Sequence, residues 1–359
     1  MTIEIYPKGN EQIERNFQNI YKNVIPKDNS KQIELKDYEI IEEPKKKTYL
    51  QNWSAYNQAQ TSEKFMFLQI INLLVKSLRI KQYVKKDGRP PLSIEDMIQS
   101  CVIKTYNQFS SRRTIGELEV SKALKYIKIK PHFNSINNYM NDGNITRHLQ
   151  EIIKLSSISL ANIEKSVAID ASGISTFCKD KWVSIRLNHK KHRNYKKLHI
   201  ICGNKTNIII SANVTEGNVS DITQFEPLIQ NISRKYNIEK FTADSGYLSR
   251  KSVQTLKDMG MDPYIKPKKN TRALSKGYPA WNKMIHLFHD KEDEFRKHYH
   301  LRSNVESTFS AMKRIFNPFV KSKKPIAQQN EILCKVISYN ISVLIKAVFN
   351  LGIELDFTQ

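Results

Sequence analysis

Two short apolar runs in this sequence end on an aspartate: VAID at 167–170 and FTAD at 241–244. A third carboxylate, Glu306, lies between Arg302 and Lys313 in HYHLRSNVESTFSAMKRIF (298–316). Short apolar runs bounded by turn residues read as strands. In open α/β sheets the carboxyl ends of strands are where side chains converge on a crevice. Three carboxylates that meet there suit a hard cation. Mg²⁺ takes oxygen ligands, keeps several waters and binds through one or two carboxylates plus phosphate oxygens. Two such ions about 3.5–4 Å apart can activate an attacking oxygen and stabilise a leaving one in phosphodiester chemistry. A lone aspartate after a strand is more often a cap or a turn residue. The same pattern occurring twice lifts Asp170 and Asp244 above that. Asp221, Asp258 and Asp262 follow no apolar run and read as capping or surface residues.

The spacing around Glu306 adds a constraint. If 298–316 is one helix, Tyr299, Arg302, Glu306 and Lys313 fall at roughly 0°, 300°, 340° and 320° around it. Val305, Phe309, Met312 and Phe316 form an adjacent apolar stripe that must face the core. An exposed Arg302–Glu306 pair four residues apart contributes only ~0.3–0.5 kcal/mol. Such a pair needs neither Tyr299 nor Lys313 in register, so the four-residue stripe is the more specific signal.

Charge points to a polyanionic partner. The chain has 359 residues and a net charge of +23, from 58 Lys and Arg against 35 Asp and Glu. A general lysine bias would scatter these cations, yet KDKWVSIRLNHKKHRNYKKLH (179–199) concentrates eight of them with Trp182 and Tyr195. Cations neutralise phosphates, and aromatics stack on exposed bases. Lys190, Lys191, Arg193, Lys196 and Lys197 are the candidates there. Lys266, Lys268, Lys269 and Arg272 flank Asp244 on its other side. A zinc site from Cys178, His189, His192, His199 and Cys202 is disfavoured, because its spacing matches no common framework. Neither a G-x-S-x-G elbow nor a P-loop occurs, so no nucleotide cofactor is indicated.

These residues need a scaffold. The composition, 40% hydrophobic, supports a packed core. Residues 1–47 are charged, with one short amphipathic helix marked by Ile13, Phe17, Ile20, Tyr21 and Val24. Residues 48–163 read as all-helical. One helix opens near Thr61-Ser62, another runs through Ile94, Met97 and Val102, a capping box stands at Thr114–Glu117, and a helix capped by Ser135 runs to about 160. Short joints carrying Lys104, Arg112 and Arg113 suit a helix-turn-helix, and Arg112 and Arg113 are its candidate DNA contacts. From 164 to 359 the pattern changes to three strands, then helix, strand, helix, strand and a long final helix: a mixed α/β sheet. Asp221 is the expected N-cap of the helix after the third strand, and residues at about 268–297 read as an irregular insertion over the site. Four scattered cysteines without a CxxC pair fit a reducing compartment. The run 331–349 is interrupted by Glu331, Lys335, Asn340 and Lys346, and the N-terminus lacks an apolar signal core, so a soluble, cytoplasmic, nucleoid-associated protein without a membrane segment is expected.

Taken together, Y299-HL-R302-SNV-E306-STFSAM-K313 meets every spacing of a Tyr-x2-Arg-x3-Glu-x6-Lys signature. The chain resembles the DDE transposases of prokaryotic insertion sequences, in the branch that carries that signature. VAIDASG and FTADSGY resemble the family's two aspartate blocks, and GRPPLSIEDMIQSCVIK more loosely resembles its DNA-binding region. The resemblance implies an RNase H-like catalytic domain, a mixed five-stranded sheet with helices, preceded by an all-helical DNA-binding region. It implies that Asp170, Asp244 and Glu306 hold two Mg²⁺ (or Mn²⁺) ions, and that Tyr299, Arg302 and Lys313 contact DNA near the cut. It further implies cleavage at the terminal inverted repeats, joining of the 3′-OH ends to target DNA, and a homodimer on paired ends. A catalytically silent DNA-binding derivative and a nuclease without strand transfer are the alternatives. Replacing Lys190, Lys191 and Arg193 with Gln is expected to lower DNA affinity and flatten its salt dependence by nearly three ions, read from binding isotherms at several salt concentrations.

Overall fold

The computed structural model describes residues 51–81, 91–176 and 195–357. The helix expected within 1–47, the first residues of GRPPLSIEDMIQSCVIK, and Lys190, Lys191 and Arg193 of the basic cluster lie outside the described residues. So do Cys178, His189 and His192.

Five helices come first. α1 (Trp53–Ser77) starts eight residues ahead of Thr61, because the Asn52 side chain accepts from Ala55 N and caps it there. α2 (Ile94–Tyr106) is capped by Ser93. α3 (Ser111–Ala123) is capped by Ser110, not by Thr114, which lies buried one turn inside the helix. The expected capping box at 114–117 is therefore corrected: an earlier serine satisfies the free N–H groups. The helix expected from Ser135 to about 160 is two helices, α4 (Phe133–Met140) and α5 (Gly143–Ile158). The Asp142 side chain accepts from Asn144 N and restarts the chain there.

The sheet has five strands: β1 (Ser166–Ser175), β2 (Tyr195–Gly203), β3 (Ile209–Glu216), β4 (Lys240–Ala243) and β5 (Asp262–Ile265). Their order is β3-β2-β1-β4-β5. β1, β2 and β3 pair antiparallel, whereas β4 and β5 run parallel to β1. This is the mixed RNase H-like arrangement expected. β2 is buried over most of its length and β1 at Val167–Ile169 and Ile174, which suits strands inside the sheet and covered on both faces there. α6 (Phe225–Gln230) and α7 (Arg250–Asp258) fill the crossovers to β4 and β5.

The region at about 268–297 departs from expectation. It is mostly helical: α8 (Pro279–Asp290) begins with proline in its first turn, and α9 (Glu292–Tyr299) has three acidic residues in its first turn. Trp281, Met284, Ile285 and Phe295 bury the apolar side of this pair. Polar composition hid a helical period.

α10 (Ser303–Phe316) and α11 (Pro325–Leu351) complete the chain. Among the described residues α11 alone is long and apolar enough to cross a membrane, yet most of it is buried inside the protein. It packs on α1, α2, α5 and β3, so the helices before residue 163 and the sheet after it share one core. Two buried asparagines tie α11 to both sides. Asn330 donates to Met140 O and Asp142 O. Asn340 donates to Ser156 Oγ and Ile209 O and accepts from Ile209 N. Asn340→Ala strips these partners from a buried strand, so a loss of about 1–3 kcal/mol is expected in urea denaturation.

Candidate active site

The β1–β4 pairing places the two aspartates. Its last parallel pair is Ile169–Ala243, so Asp170 and Asp244 each follow directly on paired residues of adjacent strands, whose backbones run about 4.8 Å apart where they pair. Asp170 is not at a strand end, as its sequence pattern suggested. β1 continues to Ser175, and what ends at Ile169 is its pairing with β4. Asp244 leaves the sheet and caps a short 3₁₀ turn at 245–247, accepting from Ser245 N at 2.7 Å.

Glu306 arrives from α10, and Arg302 joins it to Asp170. Arg302 Nη2 donates to Glu306 Oε1 at 2.6 Å, and Nη1 to Asp170 Oδ2 at 3.3 Å. The segment 298–316 is not one helix. α9 ends at Tyr299, a 3₁₀ turn spans His300–Arg302, and α10 starts at Ser303. The Tyr299 ring lies 5.8 Å from the Arg302 guanidinium. The apolar stripe is as expected, with Val305, Phe309, Met312 and Phe316 buried. Two turns beyond Glu306, Lys313 Nζ donates to Ser172 Oγ at 2.6 Å, which pins α10 to β1 beside Asp170.

Electrostatics follow from this packing. Burial pushes the Asp170 carboxyl above the ordinary aspartate value, and the Asp244 and Glu306 charges add to that. The hydrogen bond from Ala171 N and the Arg302 charge pull the other way without cancelling it. Burial opposes the Arg302 charge, but Tyr299, Asp170 and Glu306 outweigh it and raise its pKa. Burial lowers the Lys313 pKa.

Among the described residues no group of three His, Cys, Asp or Glu side chains is placed to hold a metal ion. At this site a guanidinium carries the positive charge between Asp170 and Glu306. The donor chemistry, carboxylate oxygens sharing a surplus of negative charge, fits a hard divalent cation.

The remaining candidates divide. Lys196 is buried and pairs with Glu216, and Lys197 Nζ lies 2.5 Å from Asp221, so both are engaged within the sheet. Arg112 and Arg113 are exposed on α3, over the rings of Phe133 and Phe109, far along the chain from the carboxylates. His199 and Cys202 face opposite sides of β2: His199 contacts Thr215 and Asp221, and Cys202 contacts Thr308. Sequence reading missed two residues here. Asp221 is not an N-cap, because Ser220 holds that position and Asp221 turns instead toward Lys197 and His199. Ser172 gave no signal beyond sitting two residues after Asp170, on the same face of the strand.

Residues 163–341, about half of the chain, match the family described as the Transposase DDE domain. The chain carries a transposase DDE domain. It is accordingly an enzyme of DNA cleavage and strand transfer, of a class that uses divalent metal. Two solved structures resemble the transposase loosely. One is the piggyBac transposase synaptic complex with hairpin DNA, 12% identical, covering 80% of this chain and 73% of that one at a TM-score of 0.36. The other is the Mos1 transposase paired-end complex with left transposon end, 10% identical, covering 65% and 81% at 0.23. Overlaps of that size carry no weight for the site, which stands on its own geometry and on the family match.

The raised Asp170 pKa has a testable sign. The folded chain holds this proton more tightly than the unfolded chain, so the ionised carboxylate costs stability once the pH passes its folded pKa. In EDTA, Asp170→Asn is therefore expected to raise the thermal midpoint at pH 7 and to match the wild type near about pH 3, below the ordinary aspartate value. An equal or lower midpoint at pH 7 would contradict this.

Proposed function

We propose that Asp170, Asp244 and Glu306 are the catalytic carboxylates of this transposase and its ligands for two Mg²⁺ or Mn²⁺ ions. The observation that carries the reading is the Arg302 fork, which unites Asp170 and Glu306 from distant parts of the sequence beside the β4 end that presents Asp244. Bound divalent cations supply Lewis-acid stabilisation of phosphoryl oxygens and activation of the attacking oxygen. The chain's own residues do the rest. Asp170 is fixed by the strand, and Asp244 by its cap on the 245–247 turn. Arg302 orients Glu306 through a planar fork that a lysine does not reproduce. Lys313, held by Ser172 next to the carboxylates, is placed to meet a phosphate.

The substrates in this reading are the terminal inverted repeats of a prokaryotic insertion sequence and its target DNA. The Tyr299, Arg302, Glu306 and Lys313 spacing supports the branch assignment. Lys190, Lys191 and Arg193 of the basic cluster would follow the DNA backbone. Lys196 and Lys197 would join them only by exchanging Glu216 and Asp221 for phosphate. Exposed Arg112 and Arg113 would contact duplex from the helical region 48–163. A homodimer holding two ends fits a reaction that joins both to one target.

Asp244→Asn is expected to abolish Mg²⁺-dependent cutting of DNA that carries the element's ends, a loss of more than 100-fold measured on gels. Persistence of that cutting would overturn the assignment. In the same assay a joined product distinguishes strand transfer from simple nuclease action. Arg302→Lys is expected to lower the rate more than it lowers DNA affinity, because it keeps the charge and loses the fork.

A further inference from the structure

Behind the two aspartates lies a polar group that the reading above does not use. Three of its buried atoms lack a hydrogen-bond partner among the described residues: the Tyr247 hydroxyl, Asp221 Oδ1 and His199 Nδ1. Tyr247 is 1% exposed and closes the 3₁₀ turn that Asp244 caps, its N–H donating to Asp244 O at 3.0 Å. Burial raises the pKa of its hydroxyl, and the charges of Asp221, Asp170 and Asp244 raise it further. Asp221 touches the same turn, since Oδ2 lies 3.6 Å from where a side chain on Gly246 would begin. Lys197 Nζ stands 2.5 Å from Asp221 Oδ1, close enough to neutralise it but off the line of a hydrogen bond. His199 Nδ1 is 3.5 Å from the same oxygen, and burial lowers the ring's pKa to about 4, so it stays neutral.

A buried phenol is normally paired, and an unpaired one beside a cluster of carboxylates is an unspent donor. Ligating carboxylates are themselves hydrogen-bonded by a second layer of side chains, and that layer tunes metal affinity. We propose that Tyr247 and Asp221 are positioning residues of the carboxylate site: the Tyr247 hydroxyl donates to the Asp170–Asp244 pair when that pair binds a divalent cation, and Asp221, neutralised by Lys197, buttresses the 245–247 turn beneath Asp244. This rests on the carboxylate reading above. A tyrosine that merely fills the core would need no hydroxyl here, and Tyr247→Phe removes that one group alone.

The test is Mn²⁺ binding to the full chain without DNA, followed by the electron paramagnetic resonance signal of free Mn²⁺. Thermal midpoints are measured on the same samples in EDTA. Tyr247→Phe and Asp221→Asn are each expected to weaken Mn²⁺ binding roughly 10-fold while the midpoint does not fall. If both variants bind Mn²⁺ as the wild type does while Asp244→Asn loses it, the proposal is overturned and the carboxylate reading stands. If Asp244→Asn also binds as the wild type does, the carboxylate reading itself falls. Weaker binding accompanied by a lower midpoint in both variants would make the pair structural and overturn the proposal.

Discussion

The site depends on one arginine set among like charges. Asp170, Asp244 and Glu306 lie near one another where the pairing of β1 with β4 ends, and Asp170 is partly buried there, where ionised carboxylates repel one another and lose solvation. Arg302 offsets that cost by bonding Asp170 and Glu306 at once. The short 3₁₀ turn between α9 and α10 puts its side chain between them. Asp170 nevertheless holds its proton more tightly than a free aspartate, chiefly because it is buried. Carboxylate oxygens set against a single guanidinium are donors that suit a hard cation.

The scaffold keeps those charges in register by burial at some distance from them. α10 is fixed on one side by four apolar residues and on the other by the Lys313–Ser172 bond. Beyond α10, Asn317 takes a positive φ of 65° and the chain turns to pair beside the end of β1, where Ser175 N donates to Pro318 O and Ser175 O accepts from Val320 N. Lys335 of α11 holds that turn by donating to Asn317 O and Phe319 O, while Glu331 accepts from the N–H groups of Lys321 and Ser322. The charged residues that interrupt the apolar run 331–349 are thus partly structural. They close backbone groups that the turn leaves unpaired, and burial shifts the Lys335 pKa down to about 8 as a consequence.

Legibility differed by element. The β1 and β4 runs were readable because fully buried strands need unbroken apolar residues, and the face of α10 because its apolar period is regular. The caps were less readable. Thr114, Ser135 and Asp221 are all acceptable cap residues, but Ser110 caps α3, His132 and Asp142 cap α4 and α5, and Ser220 precedes a 3₁₀ turn that leads into α6, and local composition does not rank one such residue above another. The helices at 279–299 were missed because charged residues diluted a period that Trp281, Ile285 and Phe295 nevertheless keep. The engagement of Lys196 and Lys197 was invisible, since their partners Glu216 and Asp221 are reached only through the β2–β3 hairpin and the turn that follows it.

What the sequence carries by itself is the set of residue types: two aspartates after apolar runs, a glutamate with an arginine and a lysine at fixed spacing, and a charge suited to a polyanion. Residue types and short spacings persist in any conformation, so they can be read without one. Only the tertiary structure decided which charges meet. The parallel register of β1 and β4 sets Asp170 beside Asp244, the 3₁₀ break aims Arg302 at both Asp170 and Glu306, and Asp221 becomes a neighbour of the site instead of a helix cap. Apart from the Arg302–Glu306 bond, each of those contacts joins residues far apart in the chain, and their energies depend on distance and burial, which no local pattern encodes.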